Sequence, residues 1–173
     1  MLHIRKATAA DLGSMTSIFE EARKSIATLG IDQWQDGYPG EADLMADIVA
    51  GESYCVEKDG EIVGSFALLL GGEPTYDVIE NGAWLTDSDS ACAGYATIHR
   101  IAVKGSCRGS GISTAIVEFA MASAAANGKT GVRVDTHHGN VVMRRMLEKH
   151  GFTPCGTIYL ENGERRIGYE RVG

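Results

Sequence analysis

No stretch of this sequence stays apolar for long enough to span a bilayer. The residues after Met1, MLHIRKATAADL, mix charged and apolar side chains where a leader would run from basic to apolar. The expectation is a cytoplasmic protein with no membrane partner. Basic clusters are scarce as well: none is denser than Arg144-Arg145 or Arg165-Arg166, and the formal net charge is -7. Binding a phosphate backbone needs a concentrated positive face, so nucleic acid is not expected as a partner. The acidic balance favours a cationic ligand such as an amine only weakly, and its plainer meaning is solubility. The four cysteines, Cys55, Cys92, Cys107 and Cys155, contain no C-x-x-C pair. Neither a disulfide framework nor a metal site is indicated. Internal repeats, low-complexity tracts and linkers are also missing.

What is present is the composition of a globular protein: 173 residues, 44% hydrophobic and 23% charged. That supports one buried core and a single domain over residues 1–173. The chain opens with a short strand at His3-Ile4-Arg5. Thr8-Ala9-Ala10-Asp11 then offers a cap in which the Thr hydroxyl and the Asp carboxylate serve each other's backbone. Leu12, Met15, Ile18, Phe19, Ala22, Ile26 and Leu29 recur at helical spacing until Gly30. A polar, aromatic loop with Trp34 leads to a second helix, Glu41 to Ala50. Asp59-Gly60 marks a hairpin between β-rich runs from Ser53 to Leu70. Residues 71–94 are rich in Gly, Pro, Asp and Ser and long for a connection, which predicts a functional loop or lid. Ala96 to Val103 reads as a buried strand, Gly111 to Ala126 as a helix and Thr130 to Thr136 as a strand. Asn140 to His150 reads as a helix, and Gly156 to Val172 as a hairpin turning at Asn162-Gly163.

The chemistry concentrates where the strand ending at Val103 passes through Arg108-Gly109-Ser110-Gly111-Ile112-Ser113 into a helix. The first amides of a helix lack partners within it, and the helix dipole is positive there. Glycines let the chain turn and approach a ligand closely. A strand, a glycine-rich loop and a helix start together make an anion cradle suited to a diphosphate. A Walker A loop is not present, because no Gly-Lys-Ser/Thr follows. The dinucleotide fingerprint also fails: position 114 is Thr, and the loop falls past the middle of the chain.

Arg108 to Ser113 resembles the Q/R-x-x-G-x-G/A loop of the Gcn5-related N-acetyltransferase (GNAT) family. Arg100-Ile101-Ala102-Val103 is similar to that family's central strand. Asn140 to Phe152 resembles its N-x-x-a-x-x-x-Y-x-k-x-G-F helix. With the capped first helix and the Asp59-Gly60 hairpin, the pieces follow the family order across nearly the whole chain. The resemblance implies an α/β, GNAT-like (acyl-CoA N-acyltransferase) fold, with a mixed, mostly antiparallel central sheet flanked by helices. It implies acetyl-CoA as co-substrate, without a metal, and transfer to an amine, with a homodimer as a further expectation. Backbone amides of Gly109, Ser110, Gly111, Ile112 and Ser113 would hold the coenzyme's diphosphate, with Arg108 at the entrance. Backbone groups of Ile101, Ala102 and Val103 would pair with pantetheine at a splay against the strand Gly131 to Thr136. Asn140 would bond the same arm, or cap its helix, or both.

Two positions depart from the family pattern. Ser113 replaces the last Gly or Ala of the loop, a small change. Leu147 stands where many members carry a tyrosine proposed to protonate the departing thiolate, and leucine has no proton to give. Tyr95 and Tyr159 are the other phenols considered.

An attacking amine must be neutral, which calls for a base. His99 is the candidate, the alternative being a core or pocket-shaping histidine. Strict alternation puts it on one face with Thr97, Ile101 and Val103, and Arg100 on the other. His137 and His138 are weaker candidates. Trp34, Tyr54 and Trp84 are candidates to line an acceptor site or to pack a core or lid, and Asp32, Asp36, Asp77 and Glu80 are candidates to attract an amine. The expected acceptor is a small-molecule amine. The competing reading is a catalytically silent acyl-CoA-binding sensor.

Overall fold

The computed structural model describes every residue from Met1 to Gly173. Its strands are β1 (Leu2–Lys6), β2 (Ser53–Lys58), β3 (Glu61–Leu69), β4 (Tyr95–Val103), β5 (Gly131–Thr136), β6 (Thr153–Tyr159) and β7 (Arg165–Val172). Its helices are α1 (Leu12–Ala27), α2 (Glu41–Ala50), α3 (Ile112–Ala126) and α4 (Val141–Lys149). The strands form a 7-stranded sheet in the order β1-β2-β3-β4-β5-β7-β6. The β4–β5 pair is parallel, while β1–β2, β2–β3, β5–β7 and β6–β7 are antiparallel. The fold is the α/β arrangement expected: a mostly antiparallel sheet with flanking helices.

The chain divides into two compact units, and β4 contributes to both. The first holds Met1–Leu68 and Arg100–Ile116. Here Leu2 pairs with Lys58 and Lys6 with Tyr54, and the β2–β3 hairpin turns at Asp59-Gly60 as its sequence requires. The entry to α1 is built around Asp11, whose Oδ2 accepts the Thr8 amide at 2.7 Å. Thr8 and Asp11 form the capping box expected there, and the Thr8 hydroxyl also donates to the Asp11 carboxylate at 3.0 Å. The Asp11 amide donates to the Thr8 carbonyl, also at 3.0 Å. Arg5 reinforces this entry, its guanidinium forking onto Asp11 at 2.8 and 2.9 Å and also reaching Glu57. Those bonds hold the Asp11 carboxyl well below the usual carboxylate range.

Met15, Ile18, Phe19 and Ala22 form the buried stripe of α1, packed with Leu44, Cys55 and Ala102. Each large apolar side chain buried in this way contributes about 1.5–3 kcal/mol. Trp34 packs on the same cluster, its ring 5.6 Å from Phe19. Burial pushes the Cys55 thiol up to about 12, which makes it an inert core residue.

The second unit holds Leu69–His99 and Val117–Gly173. Tyr95, Ala96 and Thr97 pair with Gly131, Val132 and Arg133, and the ladder covers no later residue of β4. Its core groups Tyr76, Tyr95 and Ile158, with Ile79, Trp84 and Leu160 against them. Trp84 is therefore a packing residue, and its indole N–H donates to the Tyr76 carbonyl at 2.8 Å. Residues 71–94 form the long connection foreseen, with a single-turn helix at Pro74–Tyr76.

Candidate active site

The glycine-rich loop lies in the first unit. Gly109 and Gly111 take φ values of +79° and +83°, left-handed conformations that glycine adopts without steric cost. A β-carbon built on either would meet nothing within 4 Å, so both open onto free space. The Ala115 amide donates to the Gly111 carbonyl at 3.0 Å, whereas the amides of Gly111, Ile112 and Ser113 have no backbone acceptor within the chain. Their amides fit a diphosphate: unspent donors at a helix start, with no side chain above the turning glycines. The helix is seated by Ile112, which is buried, whereas the rest of residues 108–113 are exposed or half-buried. Ile112 lies close over Gly64, where a β-carbon would stand 3.2 Å from its Cγ2 and 3.4 Å from the Ala102 carbonyl oxygen.

The strand leading to this loop is not regular. Arg100 has φ +52°, rare for a residue with a β-carbon and worth about 1–2 kcal/mol of strain. Its guanidinium bonds the Asp47 carboxylate at 2.6 and 2.8 Å and the Tyr38 hydroxyl at 2.7 Å, which offsets that strain. The strict alternation expected along β4 therefore breaks. Tyr95 through Ile98 are all buried, and past the kink Ala102 is the residue that joins the α1 core.

In the second unit His99 stands against a residue of the long loop. Its Nε2 is 2.9 Å from Glu73 Oε2, and both side chains are largely buried, at 19% and 18% exposed. Glu73 Oε1 accepts the Thr75 amide at 3.1 Å and the Thr75 hydroxyl at 2.8 Å. The hydrogen bond from His99 lowers the Glu73 carboxyl to about 2, with Thr75 assisting, so it is ionised at neutral pH. The Tyr76 ring is 6.1 Å from the His99 ring, and the Tyr76 hydroxyl donates to Asp135 at 2.6 Å. Tyr76 is fully buried, and desolvation first, then Asp135, drives its phenol well above the ordinary range. A histidine, a fixed carboxylate and a neutral phenol are thus gathered at the end of this half of β4.

The loop carrying Glu73 and Tyr76 is fastened down. Arg133 and Glu170 are both fully buried and paired at 3.2 Å. Glu170 also accepts the Leu85 amide at 2.6 Å, the Thr86 amide at 3.2 Å and the Thr86 hydroxyl. Arg133 donates to the carbonyls of Ser88 and Thr86 at 2.9 and 2.8 Å. Its guanidinium lies between the rings of Trp84 and Tyr95, at 4.4 and 3.9 Å. Asp77 adds a tie to the Ser90 amide at 2.7 Å. Sequence reading named neither Arg133 nor Glu170 nor Glu73. An arginine inside the apolar run of β5 was the one available sign, because a buried charge requires a partner.

Other residues singled out in the sequence are placed as follows. Asn140 is buried and caps α4, its Oδ1 accepting the Met143 amide at 3.2 Å. Leu147 is fully buried in the apolar face of α4. The Tyr95 hydroxyl accepts the Glu73 amide at 3.1 Å, and Tyr159 donates to Glu80 at 2.7 Å. His137 and His138 stack at 4.3 Å, and His137 Nδ1 accepts the Gly139 amide. Tyr54 stacks on Phe66 at 5.3 Å. No helix is long and apolar enough to cross a membrane.

Comparison with known proteins bears on this geometry. The profile of the Acetyltransferase (GNAT) family matches residues 15–152. A GNAT-family acetyltransferase from Streptococcus agalactiae shares 34% identity, with a TM-score of 0.84 over 99% of this chain and 95% of its own. More distant structures carry the same fold. One is a GNAT-family acetyltransferase from Listeria monocytogenes, at 20% identity and TM-score 0.72 over 99% of this chain and 95% of that one. Another is yncA of Salmonella typhimurium, solved with its cofactor acetyl-CoA, at 18% identity and TM-score 0.66 over 99% and 93%. A comparison with curated proteins finds no match. The family profile over most of the chain and the Streptococcus agalactiae relative along nearly all of it place this protein in the GNAT family of acetyltransferases.

Proposed function

We propose that the protein, acting as one catalytic domain over residues 1–173, transfers acetyl from acetyl-CoA to the primary amine of a small molecule, directly within a ternary complex. The observation that carries this reading is the pair of left-handed glycines, Gly109 and Gly111, opening α3 with its first amides unspent. Acetyl-CoA, when bound, supplies the activated thioester. The amides of Gly111, Ile112 and Ser113 grip its diphosphate, with Gly109 and Ser110 shaping the turn and Arg108 adding charge at the entrance. Backbone groups of Ile101, Ala102 and Val103 pair with the pantetheine arm, and Asn140 bonds it in addition to capping α4. His99 takes the proton that the amine must lose. An ammonium has no lone pair, and a base of near-neutral strength serves best there. Metal chemistry has no part in this proposal.

The buried Leu147 favours a second reading, a protein that binds acyl-CoA and turns nothing over. One assay separates the two. Acetyl-CoA is mixed with a monoamine, a diamine, an amino-acid amide and a short peptide, and released thiol is followed. Thiol release dependent on one of these amines is the expected result. Micromolar binding of acetyl-CoA without thiol release from any of them would overturn the transferase reading in favour of the sensor.

A further inference from the structure

The base reading of His99 leaves open how a ring that can rotate and carry its proton on either nitrogen is held ready. We infer that Glu73 is the positioning residue for His99, locking the imidazole as its Nε2–H tautomer and presenting Nδ1 to the acceptor amine. This inference rests on the transferase reading for its function, though not for its geometry. The 2.9 Å contact engages Nε2, and Nδ1 makes no hydrogen bond within the chain. The carboxylate cannot swing away, because Thr75 holds its other oxygen through both amide and hydroxyl. The backbone of Glu73 is fixed in turn, its amide donating to the Tyr95 hydroxyl at 3.1 Å. Tyr95 itself packs under the Arg133 guanidinium.

The other groups around the ring leave Glu73 as its only charged partner. Tyr76 approaches from the single-turn helix but gives its proton to Asp135 on β5. Arg100, the next residue of β4, is committed to Asp47 and Tyr38. An ionised carboxylate only accepts, so the hydrogen on the neutral ring must sit on Nε2. In the transfer, the Nδ1 lone pair forms the new bond to the proton leaving the amine nitrogen. The Nε2–H remains with Glu73, and the resulting imidazolium is stabilised by the carboxylate beside it.

The test is a substitution of the same shape, Glu73→Gln, read in two ways. Nitrogen chemical shifts of the His99 ring, recorded on uniformly labelled protein at a pH where it is neutral, report the tautomer without any substrate. The Nε2–H form should dominate in the native protein and lose that dominance in Glu73→Gln, since an amide can face the ring with either its oxygen or its nitrogen. Turnover with acetyl-CoA and the panel amine used fastest should fall about 10–100-fold in kcat, with KM for acetyl-CoA unchanged. In a His99→Ala background the same substitution should cause no further loss. An unchanged tautomer in Glu73→Gln overturns the inference, and so do losses that multiply in the double variant. A shifted tautomer combined with native turnover in His99→Ala leaves the positioning in place and removes the base reading.

Discussion

Removing the Glu170 carboxylate should be among the most damaging single changes in this protein. Glu170→Ala strands the Arg133 guanidinium in a site with no solvent access and deprives the Leu85 and Thr86 amides of their acceptor. Breaking one side of a buried ion pair costs about 3–5 kcal/mol. Each buried amide left without a partner costs about 1–3 kcal/mol more, less whatever water recovers. A total near 4–6 kcal/mol follows, since the terms overlap. For a chain of this length that is a fall of roughly 10–20 °C in melting temperature. Urea denaturation followed by circular dichroism measures the free energy, and a thermal scan the temperature. The double variant Arg133→Met with Glu170→Leu supplies the control. With both charges gone it should recover about 1–3 kcal/mol relative to Glu170→Ala, while the loop amides stay unpaired. A Glu170→Ala loss below about 1 kcal/mol would refute the reasoning.

The remaining expectations concern the site. Gly111→Val places a branched side chain at φ +83°, and the strain of about 1–2 kcal/mol should weaken coenzyme A binding tenfold or more by calorimetry. Unchanged affinity would place the diphosphate elsewhere. His99→Ala should lower turnover about 10²–10⁴-fold near neutral pH and much less at high pH, where the amine is already deprotonated. A loss of equal size at every pH would count against a base. Stability should also respond to Glu73: its carboxyl is lowered to about 2 in the folded protein, so the pairing stabilises above the unfolded value. The native protein should therefore lose its advantage over Glu73→Gln as pH drops from about 4.5 toward 2, and parallel pH curves would contradict that.

Much of the architecture was legible because its signals are local. Asp59-Gly60 and Asn162-Gly163 turn hairpins, Asn140 caps α4, and the apolar spacing of α1 matches its buried stripe. The glycine-rich turn into α3 was legible for the same reason, since glycine spacing and a following helix lie within one short segment. The pairing of His99 with Glu73 was not. Periodicity assumes a regular strand, and Arg100 breaks it with a left-handed backbone stabilised by Asp47, far away in sequence. Glu73 sits in a loop whose composition says only that it is a loop. Its meaning comes from a histidine on β4. Glu170 likewise reads as one more strand residue until Arg133 is placed opposite it.

Gly64 shows how a missing side chain can act at a distance. Because β3 has no β-carbon there, the first residue of α3 settles closer to the strand than nearly all substituted positions allow. A single methyl there would require the Ile112 side chain, or the helix start that carries it, to give by a few tenths of an ångström. The seating of the first turn of α3 thus depends in part on a strand that contributes no amide to the glycine-rich loop. Under the proposed reading, substitution at Gly64 would alter coenzyme retention while every residue of the loop itself stayed the same.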